Sequence, residues 1–473
     1  MFKNENLWIL TEEYPKKTVI QMIVGTFCQD RGNGVFFDNI RIVPILDKNN
    51  FLFTYEVLGI NTPLINKIFI KIATGYSSFV DFLIFYQDNE PTQSDTPIYV
   101  IEETKTTDKE SRNTGVSQRS SKFSYVQSFY PKAQKIMLYS LRNEENQKLS
   151  DTNIFGSRLL VTQGVRILGK NRTDFFPFKS IDELIEAKNS MRNPPVGNVP
   201  IKITQCANKI QISGRLFKGN SLSHDPNIGT LSSIAYTLRL LGYQGQIEIT
   251  HHGLSQSHVQ NGKNKFIRIA QILDITLEGL QLPSQIAQIS YWRYDMEGEK
   301  LGTIFIHLLV ENFSEGFSIF DNHAGSEKGY FCTPDGQYLS LIKYEAENRE
   351  AYKAGDKTQI VYIPDLILLD PKQMEVINIE GKVYSNMLKG ISELSNYDPV
   401  ERLYINKHYP DFKILRTVVL YGSFENKLTR AEVSFLLNKD GSLILGIQAP
   451  DLFKRALQNL YCYWHGVRFV STN

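Results

Sequence analysis

The chain has no run of apolar residues approaching the roughly 18 needed to cross a bilayer. Its start, MFKNENLWILTEEYPKK, carries no apolar core of signal-peptide length. These absences predict a soluble protein of the cytoplasm with no membrane partner. Cysteine is scarce: Cys28, Cys206, Cys332 and Cys462 stand singly, which excludes the close pairs of a zinc site or redox motif and points to free thiols. An excess of one charge is missing too. With 52 basic against 50 acidic residues the net charge is +2, so bulk attraction does not hold this molecule on a polyanion. A basic groove beside acidic metal ligands would cancel in such a sum. SHDPNIG lacks the Gly-x-x-x-x-Gly-Lys arrangement that cradles nucleotide phosphates, so no nucleotide cofactor is expected. Repeats of fixed short period and low-complexity tracts are absent.

What is present is the composition of a folded chain: 473 residues, 42% hydrophobic and 22% charged. At about 100–200 residues per domain, that length calls for several domains. From residue 1 to about 145, β-branched and aromatic runs (RIVPIL, FLFTYEVL, KIFIKIA, FVDFLIFY, PIYVIEE, KIMLYSL) alternate with Asn, Gly, Asp and Pro turn signals and read as strands. GVSQRSSKFSYVQSF between two of them predicts a helix. The stretch 146–340 is richer in loop chemistry, with LSSIAYTLRLLG as a helix capped by Gly242. From 341 onward the first pattern returns: a hairpin, TQIVYIPDLILLD then MEVINIEGK, turning at Asp370-Pro371, followed by a helical segment and the strand ILRTVVLYG. Strand, strand, helix, strand occurs twice. The fold class is therefore α/β (α+β), divided as 1–145, 146–340 and 341–473.

Two constellations carry chemistry. Pro364-Asp365 opens one strand of the second hairpin and Glu380-Gly381-Lys382 closes the other. Alternation puts Glu380 and Lys382 on one face, where the hairpin can bring Asp365 beside them. Two carboxylates at one point suit a hard divalent cation, most naturally Mg²⁺, with the lysine left to assist an attacking water. Near the other end, Asp81 interrupts the apolar run SSFVDFLIFY and Glu103-Thr104-Lys105 ends PIYVIEETK. Glu102 is adjacent, but alternation from Lys105 assigns the shared face to Glu103. An unpaired Asp81 in a buried strand would cost several kcal/mol, so a metal or lysine partner is expected. The helix that follows presents Gln118 and Lys122 on one side at an i, i+4 interval, with Gln118 a further candidate.

The Pro-Asp pair, the Glu-x-Lys tripeptide, the hairpin and the helix-then-strand that follows resemble the PD-(D/E)xK nuclease superfamily over about residues 341–473. The first constellation in the chain resembles it more loosely, with Val80 where the pattern has proline. The resemblance implies two mixed-sheet nuclease cores flanking a central DNA-recognition region. It implies a Mg²⁺-dependent endonuclease of the type II restriction kind, with Asp365, Glu380, Asp81 and Glu103 as metal ligands and Lys382 and Lys105 beside them. Two unlike sites in one chain would allow one site per strand of duplex DNA, by a monomer or a homodimer. A repair or recombination nuclease, or a DNA-binding protein with degenerate nuclease folds, are the competing readings.

The central stretch supplies Arg215, Lys218, Lys263, Lys265 and Arg268 as candidate phosphate contacts, with polar loop residues for base edges. Among the histidines of that stretch, His224, His251, His252, His258 and His323 lie near polar and acidic residues. They read either as a second metal centre or as hydrogen-bonding residues of loops and buried networks.

Overall fold

The computed structural model of the chain describes residues 4–75, 78–104, 115–139, 151–169, 175–191, 200–216, 225–260, 265–284, 290–344, 348, 360–423 and 434–466. Its class is mixed α/β, with helices set against several mixed sheets. Among the described residues no helix is long and apolar enough to cross a membrane. The chain forms two compact units that do not follow the consecutive stretches expected from sequence. The first gathers Met1–Leu7, Glu12–Ile72 and Tyr294–Asn473; the second joins Trp8–Thr11 to Ala73–Arg293.

In the second unit, β1 (Phe82–Tyr86) pairs antiparallel with β2 (Tyr99–Thr104), and β2 pairs parallel with β3 (Gln134–Tyr139). Parallel neighbours need a crossover, and α1 (Gly115–Val126) provides it where the sequence predicted a helix. The buried run FLIF in β1 fits a strand covered on both faces. Buried serines on α1 (Ser120, Ser121, Ser124) allow a close approach to α2 (Asp225–Leu240), where Ser120 Oγ donates to the Gly229 carbonyl at 3.3 Å. Gly242, at φ 92°, follows α2 in the left-handed conformation that ends helices. Beyond it lies a second sheet of four strands, in which Lys209–Ser213, Gln246–Thr250 and Ile275–Leu277 run parallel.

In the first unit, α3 (Lys300–Phe313) is buried along most of its length and lies on a six-stranded sheet. The strands that matter are β4 (Leu366–Asp370), β5 (Glu375–Val383) and β6 (Lys413–Tyr421). β4 and β5 form the expected hairpin. Its turn is fixed by Asp370, whose Oδ1 accepts from the Lys372 and Gln373 amides at 3.1 and 3.3 Å. β5 and β6 are parallel, joined by helical turns that include α4 (Met387–Leu394). A Cβ at Gly302 would stand 3.1 Å from the Leu420 carbonyl oxygen, so the glycine lets α3 sit close upon β6.

One polar group inside this layer is held by a single cation. Glu401, 8% exposed, accepts from Asn378 on β5 at 2.7 Å and from Arg416 on β6 at 2.7 and 2.6 Å, while Arg416 also reaches the Leu394 carbonyl at 3.0 Å. Removing one partner of a buried ion pair strands the other, at about 3–5 kcal/mol when both are fully buried. Arg416 keeps some solvent contact, so Arg416→Met should destabilise the first unit by about 2 kcal/mol. A lowered urea midpoint is the expected result, and an unchanged midpoint would remove this pair from the account of stability.

Candidate functional site

The hairpin register decides which side chains meet. Leu366 lies opposite Ile379, so one residue further along, Asp365 lies opposite Glu380. The Asp365 amide donates to the Ile379 carbonyl at 3.1 Å, and its Oδ2 accepts the Gly381 amide at 2.8 Å. Glu380 and Lys382 flank that glycine on one face, as alternation predicted. A Cβ at position 381 would come within 2.6 Å of the Thr303 methyl, which explains glycine between the two charged residues.

Glu380 and Lys382 are 8% and 9% exposed. Lys382 Nζ donates to Glu380 Oε1 and forms an ion pair with Glu393 Oε2 at 3.1 Å. Tyr397 donates its phenol to Glu380 Oε2. Loss of hydration, and then the charge of Glu380, push the Asp365 carboxyl up to about 8. Burial also raises Glu380, although the bonds from Lys382 and Tyr397 oppose it. Lys382 is raised despite burial, because Glu380 and Glu393 stabilise its charge. Among the described residues no donor reaches Asp365 Oδ1, and no cationic nitrogen lies within 4 Å of Asp365. Glu393 and Tyr397 were not anticipated. Their only sequence signal is an i, i+4 spacing in the polar helical stretch after the motif.

The second unit repeats the geometry with a shift of identity. Phe82 lies opposite Ile101, so Asp81 lies opposite Glu102. The Glu103 amide donates to Asp81 Oδ2 at 2.6 Å, as the Gly381 amide does to Asp365. Glu103 therefore stands where Gly381 stands, and the carboxylate facing Asp81 belongs to Glu102, which is 1% exposed. The expected choice of Glu103 over its neighbour is corrected by one residue, because the register with β1, and not alternation alone, selects the face. Lys122 of α1 reaches Glu102 Oε1 at 2.8 Å and Oε2 at 3.0 Å, and Arg119 Nε lies 3.4 Å from Oε1. Burial and then the Asp81 charge raise Glu102 to about 8, against the pull of both cations. Lys105 lies outside the described residues, and Gln118 sits on α1 with its side chain outside them.

The candidate DNA contacts divide. Arg215 is exposed just beyond the strand Lys209–Ser213, and its carbonyl accepts from Asn227 at 2.6 Å. Arg268 is 4% exposed, with its guanidinium 5.6 Å from the Tyr125 ring centre, too deep to meet a phosphate; the apolar face of its helix carried it inward. Lys218, Lys263 and the side chain of Lys265 lie outside the described residues. Of the histidines, His252 accepts from the Leu254 amide and bonds the Glu278 carbonyl, and His258 accepts from the Ser255 amide. His323 bonds His307 and Thr303. His251 is exposed and its Nδ1 bonds Thr250 Oγ1 at 3.1 Å, while His224 lies outside the described residues. Among the described residues no group of three or more His, Cys, Asp or Glu is poised as a preformed metal cage.

Comparison with family models, with curated proteins and with solved structures returns no match to this chain.

A carboxyl whose pKa is higher in the folded chain binds its proton more tightly there, so it favours folding at low pH and loses that contribution as pH rises through the folded value. With Asp365 and Glu102 both raised to about 8, metal-free stability should fall between roughly pH 4 and pH 8. Urea midpoints in EDTA should drop from pH 5 to pH 8, and Asp365→Asn should lessen the drop. Parallel curves for the two proteins would contradict the assignment to Asp365.

Proposed function

We propose that this chain is a Mg²⁺-dependent endonuclease acting on double-stranded DNA, of the restriction-endonuclease type, with Asp365, Glu380 and Lys382 as its reacting residues. In this reading the hairpin of the first unit and the related strand–strand–helix–strand of the second are two nuclease-type cores. The observation that carries the reading is the cross-strand opposition of Asp365 and Glu380, with Lys382 on the same face.

The donor set fits a hard divalent cation. Two carboxylates face one another, Asp365 Oδ1 accepts no hydrogen bond among the described residues, and once Glu393 is included three carboxylates stand against two ammoniums, Lys382 and the exposed Lys389. Asp365 and Glu380 would hold the ion, which keeps most of its water and would supply Lewis acidity toward a phosphodiester. The other roles fall to the chain itself. Tyr397 orients Glu380 through its phenol, and Glu393 holds the Lys382 ammonium to one side of the carboxylate pair. From there Lys382 can donate to a phosphate oxygen or to the attacking water, offsetting charge that grows as the bond to phosphorus forms. The Gly381 amide keeps Asp365 fixed, so the site is preorganised from backbone as well as side chains.

Supercoiled plasmid and phage DNA incubated with the purified chain and Mg²⁺ should give discrete fragments, and EDTA should stop the reaction. Lys382→Ala should lower the rate by about 10²–10⁴, and because it strands Glu380 and Glu393 it should lower the urea midpoint too, so its rate is read where circular dichroism shows the variant folded. A smear would replace restriction by a non-specific nuclease of the same chemistry. Full activity in Lys382→Ala, or none in the unmodified chain with any divalent ion, would end the proposal.

A further inference from the structure

The two cardinal clusters share a backbone and differ in where their cation comes from. Aligned by register, Asp81 matches Asp365, Glu102 matches Glu380, Glu103 matches Gly381, and Thr104 takes the place of Lys382. The strand of the second unit thus carries no ammonium at the equivalent position. Another arrives from the crossover helix: Lys122 Nζ stands 2.8 Å from Glu102 Oε1, 3.0 Å from Oε2 and 3.7 Å from Asp81 Oδ1.

Those three distances put the ammonium between the opposed carboxylates, where a divalent ion bridging them would have to sit. Asp81 Oδ1 has that ammonium as its one neighbour of opposite charge among the described residues, and the other oxygens are bonded. Asp81 Oδ2 accepts the Glu103 amide at 2.6 Å, Glu102 Oε2 accepts the Asp81 amide at 3.1 Å, and Arg119 Nε lies 3.4 Å from Glu102 Oε1. Two carboxylates face two cations there. In the first unit Lys382 bonds Glu380 and Glu393 and leaves Asp365 with no cation within 4 Å among the described residues, while Glu393 is shared with the exposed Lys389.

We propose that Lys122 fills the cation position of the second-unit cluster, so that the chain has a single divalent-ion site, at Asp365 and Glu380. The inference rests on the endonuclease reading for the identity of that one site. Lys122 is then a built-in counter-ion of a nuclease-like core that has no use for Mg²⁺, and the expectation of two equivalent metal sites gives way to one.

The test counts ions on the full chain, with Mn²⁺ as the probe and free Mn²⁺ read by electron paramagnetic resonance. One equivalent should bind; Asp365→Asn should abolish it and Asp81→Asn should leave it. Lys122→Met, which frees the carboxylate pair, should raise the count to two. Two equivalents on the unmodified chain, or a Lys122→Met protein that folds and still binds one, would overturn the inference while leaving the endonuclease reading intact. No binding at all would overturn both, as would an equivalent lost in Asp81→Asn and kept in Asp365→Asn. Should Lys122→Met fail to fold, the two aspartate variants still decide the matter.

Discussion

Two carboxylates set opposite each other on neighbouring strands of a buried hairpin are the constraint to which the surrounding residues answer. Like charges that close raise each other's pKa, and burial raises both further. An arrangement of this kind persists only when protons, cations or donors compensate it. In the first unit compensation comes from the Tyr397 phenol, the Lys382 ammonium and the Gly381 amide, and it is incomplete: the Asp365 carboxyl is driven well above its ordinary range. In the second unit the crossover helix supplies both Lys122 and Arg119, although burial and Asp81 still raise Glu102 to about 8. The same backbone solution thus leaves the aspartate without a close cation in one place and sets an ammonium beside it in the other.

The first unit's cluster is braced from below by a polar chain along α3. Thr303, His307 and Glu311 recur at i, i+4 and i+8 and so share a face of the helix. His323 bonds both Thr303 Oγ1 and His307 Nδ1 at 2.9 Å, His307 Nε2 meets Glu311 Oε1 at 3.1 Å, and Tyr14 donates to Glu311 Oε2 at 2.6 Å. Burial opposes ionisation of Glu311, yet the bonds from His307 and Tyr14 hold its pKa down to about 2. Burial presses His323 down to about 3, which keeps that ring neutral. Tyr14 stacks on the His307 ring at 4.0 Å, closing the network. Its upper end is the Thr303 methyl against Gly381, so the helix that carries the network also fixes the strand between the two charged residues.

How much of this was legible in the sequence depended on how local the information was. The Asp370-Pro371 turn, the hairpin and the shared face of Glu380 and Lys382 follow from turn chemistry and a two-residue period, and they stand as read. Glu102 escaped the same logic because alternation only sorts residues into two faces. Which face meets Asp81 is set by pairing with β1, fifteen residues earlier in the shortest case, and an adjacent Glu-Glu gives no way to choose. Arg268 escaped for a related reason: a basic residue in a helix with a strong apolar face was credited to the surface, and packing under Tyr125 placed it inside. The division into units was illegible since each unit borrows strands from distant segments, which composition along the chain does not record.

One active ion per chain would also alter what a duplex break requires. A single hydrolytic site acts on one phosphodiester at a time, and the two strands of DNA run antiparallel, so their scissile bonds present opposite polarity to a fixed site. A second cut then needs either release and re-engagement in the other orientation or a second copy of the chain related by two-fold symmetry. On that proposal the second-unit cluster would serve neither cut, its carboxylates being held by Lys122 and Arg119 instead of an ion. On the same proposal, where the nearest ammonium stands, rather than the mere recurrence of an acidic motif, would separate a core that takes a metal from one that does not.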